Sequence, residues 1–323
     1  MKIGILSFAN ANAWKYARSA KALGIELLGI TDENEERGRK ASEELGVSFI
    51  PTKEEFLSLP IDAVIICSEN VKHKDDVLLC AQAKKHILCE MPLAISLQDA
   101  QIMLQHCEEN SVFLIPALPY RYSPPLQRTK EILKEGQIGE VVAMKATCRS
   151  KLPHGWQATR RLAGGGAIIQ NAPLMIDIMR WLIEDDVAEV YAEIARSPHL
   201  NIDVEDVATL SFRFKGGVFA TLDPSWCLPD SYPFPFDATI DIVGREGALI
   251  VNLFAQLLSH IDENTKSFNW RYWGSDIYLL MLKDFSENIS EGEAALKASD
   301  ALKALQVAWA GLLSGEKQEP VTL

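Results

Sequence analysis

Basic runs, paired cysteines and long apolar stretches are what this chain of 323 residues does without. Lysine and arginine number 32 against 44 acidic residues, a net charge of −12, and no basic run is interleaved with aromatics. A phosphate backbone would be repelled, so nucleic acid is not an expected partner. The six cysteines (67, 80, 89, 107, 148 and 227) include no C-x-x-C pair, and Cys67, Cys80 and Cys89 fall in apolar segments that read as buried. That suits a reducing cytosol better than a disulfide framework, and no metal site is expected. Nothing approaches about 18 uninterrupted apolar residues, and the opening MKIGILSFANANAW turns polar too soon for a signal peptide. Neither a membrane span nor secretion is expected, which leaves the cytoplasm.

What is present is a globular composition, 48% hydrophobic and 24% charged. The length exceeds the roughly 250 to 300 residues at which one core stops growing, so two domains are predicted. Through the first 118 residues short apolar runs alternate with amphipathic ones. KIGILS, IELLGIT, VSFI, DAVIICS, HILCE and VFLIPA read as strands. Helices are predicted over 11–23, 34–45, a short stretch around EEFLSL, about 71–84 and about 97–110, the first two stopped by Gly24 and Gly46. Strands separated by helices mean right-handed crossovers and a doubly wound parallel sheet.

From residue 119 the pattern changes. A helix over PPLQRTKEILKEG is followed by long alternating strands, EVVAMKATCRS, VAEVYAEIARS, DVATLSFRF, VFATLDPSW and ATIDIVG, with a helical pattern in GGGAIIQNAPLMIDIMRWL between the first two. This predicts an α+β domain over 119–323 with a large open, mostly antiparallel sheet. The segment EAALKASDALKALQVAWAGLL is predicted helical, stopping at SGEK and a candidate to pack back on the first domain.

In an open α/β sheet, ligands sit beyond the carboxyl ends of the strands at the switch point. The first strand-to-helix turn reads Ser7-Phe8-Ala9-Asn10-Ala11-Asn12, with Ser7, Ala9 and Asn12 at the places of the three glycines of the dinucleotide fingerprint. Small side chains at 7 and 9 let a phosphate approach the helix, or the turn is an ordinary tight one. Asp32 ends the second strand about 20 residues on, where an acid accepts from an adenosine ribose; the alternative is a helix N-cap in TDENEE. NAD is favoured, and Arg37 and Arg39 keep NADP open. CSEN (67–70) and CEMP (89–92) end the fourth and fifth strands and face the nicotinamide half of such a ligand.

VIICSENVKHKDDVLLCAQAKKHILCEMPLAIS resembles the Gfo/Idh/MocA oxidoreductases, whose pattern here is a strand, T-P-N-x-x-H, a helix and a strand ending E-K-P-L-A. PYRYSP, GQIGEVVAMKA and LAGGGAIIQNAPLMIDIMRWL resemble later segments of that family, and SFANANAWKYARSAKAL a branch with S-F-A-H-x-H-A. The resemblance covers essentially the whole chain. It implies an N-terminal Rossmann domain and an enzyme passing a hydride between NAD(P) and a secondary alcohol of a sugar or polyol. Ser68, Asn70, His73, Glu90 and Pro92 match the family pattern or nearly so. Its catalytic Lys, Asp and His fall on Met91, Gln170 and Leu174, none of which takes a proton.

Candidate substitutes are His154, Lys151 and Arg121, with Lys151 and Arg121 read alternatively as anion contacts or solvated side chains. His154 also reads as an exposed loop histidine, and Trp156 as pocket wall or core. Gln170 and Asn171 either cap a helix or bind ligand hydroxyls. Asp177 reads as structural. A catalytically degenerate member serving as sensor or regulatory subunit is the competing expectation, followed by an interaction protein without cofactor. The open sheet suggests a homo-oligomer, dimer or tetramer, packed face to face.

Overall fold

The computed structural model describes residues 1–198, 201–262, 266–272, 274–292 and 296–323. The chain divides into two compact units, Met1–Pro119 with Asp276–Leu302, and Tyr120–Ser275 with Lys303–Leu323. Segment 276–302, grouped from sequence with the rest of 119–323, lies in the first unit.

The first unit carries six parallel strands, β1 (Lys2–Leu6), β2 (Glu26–Thr31), β3 (Ser48–Phe49), β4 (Ala63–Ile66), β5 (His86–Cys89) and β6 (Leu114–Pro116), in the order β3-β2-β1-β4-β5-β6. The direction of winding reverses between β1 and β4, which is the switch point. Every residue of β4 is buried, as an unbroken apolar run in the middle of a parallel sheet must be. Helices α1 (Asn12–Leu23), α2 (Glu35–Leu45), α3 (Lys53–Ser58), α4 (His73–Gln82) and α5 (Leu97–Asn110) form the crossovers. Gly24 and Gly46 end α1 and α2 in the left-handed conformation at φ 68°, which only glycine adopts at no steric cost.

The second unit holds α6 (Pro124–Lys134), β7 (Val141–Ser150), the short α7 (Arg160–Ala163), α8 (Ala167–Ile183), β8 (Val187–Ala195), β9 (Val207–Phe214), β10 (Phe219–Asp223), β11 (Phe236–Gly244) and β12 (Ala248–Asn252). A separate hairpin, β13 (Leu257–Asp262) with β14 (Ser267–Tyr272), follows. The helix α9 (Ile277–Glu291) belongs to the first unit, α10 (Ala298–Lys317) crosses the division, and β15 (Val321–Thr322) closes the chain. The main sheet has seven strands in the order β12-β11-β7-β10-β9-β8-β15; within it β7 and β10 run parallel and the other pairs antiparallel.

In β9 exposed and buried residues alternate without a break, the signature of a sheet with one covered face. The other face carries Lys145, Thr209, Ser211 and Arg213, with Phe219 57% and Ile250 86% exposed among them. Val207 and Val243 are also exposed on it, so the face mixes polar and apolar side chains.

The helix α10 runs through SGEK instead of stopping there. Ser314 is buried, accepting from the Ala192 amide at 3.1 Å and donating to the Glu319 carbonyl at 2.6 Å. A Cβ on Gly315 would lie 2.6 Å from Ile194. Tertiary contact with β8 outweighs the weak helix propensity of Ser-Gly. The predicted start of this helix falls at 293–295, outside the described residues, and the helix begins at Ala298.

Candidate functional site

The loop between β1 and α1 turns at Ser7, whose φ of 71° is the left-handed conformation that a glycine would take without strain. The Ser7 hydroxyl accepts from the Ala9 amide at 3.2 Å and donates to Asp32 Oδ2 at 3.3 Å. Asn10 Oδ1 accepts from the Asn12 amide at 3.0 Å, and the Asn10 amide donates to the Cys67 carbonyl at 2.9 Å, tying the turn to the end of β4. Phe8 is buried and packs edge-on against Trp14 at 5.1 Å. Ala11 is exposed, and α1 opens on it with no side-chain cap.

Asp32 is the centre of this corner. Its Oδ2 accepts from the Phe8 amide at 2.7 Å and Arg37 Nε at 2.8 Å; its Oδ1 accepts from the Asn34 amide at 2.9 Å and Arg37 Nη2 at 2.7 Å. Its oxygens therefore organise the loop. The cap of α2 is Asn34, accepting from the Arg37 amide at 2.9 Å, and not Asp32. Arg37 Nη2 lies 3.7 Å from Glu69, while Arg39 pairs with Glu35 on an exposed helix face. Only Arg37 of the two arginines therefore stands at the loop.

At the ends of β4 and β5 the polar residues are buried and paired. Ser68 donates to Asp76 at 2.6 Å, and Lys53 reaches the other Asp76 oxygen at 2.7 Å. The ring nitrogens of His73 lie 3.0 Å from the carbonyl oxygens of Pro92 and Ser68, so the buried imidazole sits between the two strand ends. Asn70 is buried beside it. Glu90 Oε1 accepts from the Tyr16 hydroxyl at 2.7 Å and Oε2 from the Met91 amide at 3.1 Å. Burial raises the Glu90 carboxyl above the usual glutamate range against the pull of these donors and of Asn12. Met91 is only 7% exposed, and its peptide bond to Pro92 is cis.

In the second unit Gln170, Leu174 and Asp177 share one face of α8, at spacings of four and three. Arg121 grips Asp177 through two hydrogen bonds, which makes it part of the scaffold and not the anion contact or solvated side chain expected. Asn171 does not cap α8. Its amide donates to Ser150 Oγ at 3.1 Å and the Pro224 carbonyl at 2.8 Å, joining the helix to the sheet. Gln170 is half-buried and donates to the Ala163 carbonyl at 3.3 Å. Lys151 donates to the Asp230 carbonyl at 2.7 Å, His154 is exposed, and Trp156 is half-buried in a single turn over Gly155–Ala158.

Two residues emerge that sequence reasoning passed over. Glu205 is buried, and its carboxylate accepts from the Gly166 and Ile168 amides at 3.1 Å, capping α8 from β9's approach. A Cβ on Gly166 would stand 1.9 Å from the Glu205 carbonyl oxygen, which explains the glycine. No periodic signal marks Glu205. Tyr16 was findable, because it is the one large side chain with a polar tip among Ala13, Ala17 and Ala20 on the buried face of α1. Among the described residues no group of three or more His, Cys, Asp or Glu is placed to hold a metal ion, and no helix is long and apolar enough to cross a membrane.

Residues 3–118 match the family described as "Oxidoreductase family, NAD-binding Rossmann fold", and residues 126–250 match the GFO/IDH/MocA C-terminal domain. The chain belongs to the GFO/IDH/MocA oxidoreductase family. Among its relatives, myo-inositol 2-dehydrogenase of Thermotoga maritima is 27% identical over 340 residues, covering 100% of this chain and 98% of the relative. The 1,5-anhydro-D-fructose reductase of Ensifer adhaerens is 31% identical over 237 residues, 71% of this chain and 69% of the reductase. GenD2 from gentamicin A biosynthesis, solved in complex with NAD, shares this fold with a TM-score of 0.91 at 19% identity, over 100% of this chain and 96% of that one.

Proposed function

We propose that this protein is an NAD(P)-dependent oxidoreductase that passes a hydride between the nicotinamide cofactor and a secondary alcohol of a sugar or polyol. The observation that carries the reading is the β1–α1 loop. A left-handed turn at Ser7 and small side chains at 7, 9 and 11, at the positive end of the α1 dipole, leave backbone room for a pyrophosphate. Phe8 to Asn12 line that approach, Arg37 and Asp32 stand where the adenosine ribose ends, and Ser68, Asn70, His73, Glu90 and Met91 form the nicotinamide end. NAD is the proposed cofactor, and Arg37 gives NADP a cation to meet. When bound, the dinucleotide supplies the hydride acceptor or donor.

The substrate class is supported by relatives whose names specify myo-inositol and 1,5-anhydro-D-fructose. Trp156 and Gln170 are the proposed substrate contacts, with Arg121 and Asn171 holding the scaffold around them. The open sheet face is assigned to a second copy of the chain, and a monomer in sedimentation equilibrium contradicts that.

A second reading rests on one observation: Met91, Gln170 and Leu174 offer no titratable group where the family resemblance puts three. It is a family member that binds dinucleotide without turning over a substrate. Thermal unfolding with NAD(H) and NADP(H), then absorbance at 340 nm with a panel of polyols, separates the two. Stabilisation by more than about a degree with turnover supports the first reading. Stabilisation without turnover supports the second, and no stabilisation by any of the four dinucleotide forms contradicts both.

A further inference from the structure

Around Glu90, immediately before Met91, the first unit gathers groups from three places in the chain. Tyr16 of α1 donates to Glu90 at 2.7 Å, and the ring of Tyr278, from α9, packs edge-on against that of Tyr16 at 5.5 Å. Asn12, at the start of α1, opposes the pull of burial on both the Glu90 carboxyl and the Tyr278 phenol. Lys15, one residue before Tyr16, completes the cluster with its Nζ 4.2 Å from the centre of the Tyr278 ring.

The lysine is distinguished by the aromatic face that its ammonium rests on. It is half-buried, yet among the described residues its ammonium makes no salt bridge and rests on an aromatic face instead. Other lysines at the sheet ends behave differently, Lys53 and Lys72 both being clamped between two carboxylates. A half-buried lysine without a fixed ion pair, one residue from the tyrosine that donates to a buried carboxyl at the end of a parallel strand, has the surroundings of a proton-transfer group.

We propose that Lys15 is the proton acceptor for the alcohol, taking the part that Met91 has no chemistry to fill. The inference rests on the oxidoreductase reading above. In the oxidising direction the substrate O–H bond breaks and its proton passes to neutral Lys15 Nζ. The adjacent C–H bond breaks with its electron pair, and the hydride goes to the nicotinamide of the oxidised dinucleotide. A C=O bond forms, so the alcohol is oxidised, the dinucleotide reduced and Lys15 left as ammonium. Burial holds the Lys15 ammonium below the usual lysine range, which favours the neutral form. The Glu90 and Asp276 carboxylates pull the other way and the Arg18 guanidinium assists, while the Tyr16 and Tyr278 phenols, both raised by burial, stay neutral.

The first test needs no substrate. Intact protein is treated with trace acetic anhydride from pH 6 to 10, and each lysine is followed by mass spectrometry. Lys15 is expected to reach half-maximal reactivity at a lower pH than exposed Lys40, and saturating NADH is expected to slow its acetylation at least about fivefold while leaving Lys40 alone. A Lys15 that titrates with Lys40, or that bound NADH leaves unprotected, overturns the proposal. The second test is kinetic. Lys15→Met is expected to lower kcat by about 100-fold or more and to abolish the acid limb of the pH–rate profile, with NADH affinity within about threefold of wild type. Lys15→Arg, which keeps the cation, is expected to fold and to be as slow. Wild-type turnover with kcat and pH profile unchanged in Lys15→Met overturns the role of Lys15 alone. Wild-type protein that binds dinucleotide but turns over no polyol overturns the oxidoreductase reading, and this step with it.

Discussion

Arg121 and Asp177 meet in two parallel hydrogen bonds, Nε to Oδ2 at 2.8 Å and Nη2 to Oδ1 at 2.6 Å. The Asp177 side chain has no exposure and that of Arg121 11%, so both charges are out of water. Removing one partner of such a pair leaves an uncompensated buried charge, which costs about 3–5 kcal/mol. Arg121→Leu and Asp177→Asn should each lose that much in urea denaturation, and the double variant Arg121→Leu/Asp177→Leu should lose less than their sum. Single variants within about 1 kcal/mol of wild type would show the pair to be incidental.

Asp32 shapes the β1–α1 loop through the Phe8 amide and the Ser7 hydroxyl, and Arg37 closes over it. Asp32→Ala should therefore weaken NADH binding about 10- to 100-fold, the value of one charge-assisted hydrogen bond. Arg37→Leu should weaken NADPH more than NADH, since the 2′-phosphate has this guanidinium to meet. Equal losses for the two dinucleotides in calorimetric titration would remove Arg37 from the ribose end.

Hydrogen bonds from Lys53 and Lys72, each at 2.6 Å, hold the Glu33 carboxyl down at about 2. Its native pKa lies below its unfolded one, so it stabilises the fold fully above the ordinary glutamate range. That contribution is lost as the pH falls from there through about 2. Glu33→Gln should flatten the acid limb of the Tm against pH curve. Because the Glu33 side chain is half-exposed the effect should be modest and should shrink in high salt. A variant curve parallel to wild type from pH 6 to 2 would mean that the ion pairs contribute nothing.

A lysine restored at position 91 should partly replace the one on α1. Lys15→Met/Met91→Lys should regain about tenfold or more of the kcat lost by Lys15→Met. The triple variant Met91→Lys/Gln170→Asp/Leu174→His should turn over myo-inositol. If it turns over no polyol, those three substitutions alone do not account for the departure from the family's catalytic residues.

Much of the first unit was legible because each of its strands is a short apolar run and its first two helices stop at glycine. Less was legible in the second. Strand β10 pairs parallel with β7 more than 70 residues earlier, and alternation within a strand says nothing about its partner. Edge strand β12 went unread because its middle residue Ile250 is apolar and exposed, reversing the expected pattern. Helix α9 did carry a signal, with Asp276 capping an apolar series at 277, 281, 282 and 285. At the site, positions were legible and partners were not. Asp32 and Glu90 were named from strand ends, but the Arg37 fork, the Tyr16 hydroxyl and the Asp177 bond to Arg121 depend on contacts distant in sequence.

The most direct test of the assignment is initial rate at 340 nm, with NAD+ and NADP+ in turn, against a panel of cyclic polyols and aldose sugars, for wild type and Lys15→Met side by side. Reduction of the dinucleotide by wild type on at least one polyol, slowed about 100-fold or more in the variant, is the expected result. Wild-type protein that forms no reduced dinucleotide with any of them, at concentrations where NADH binding is saturated, contradicts it.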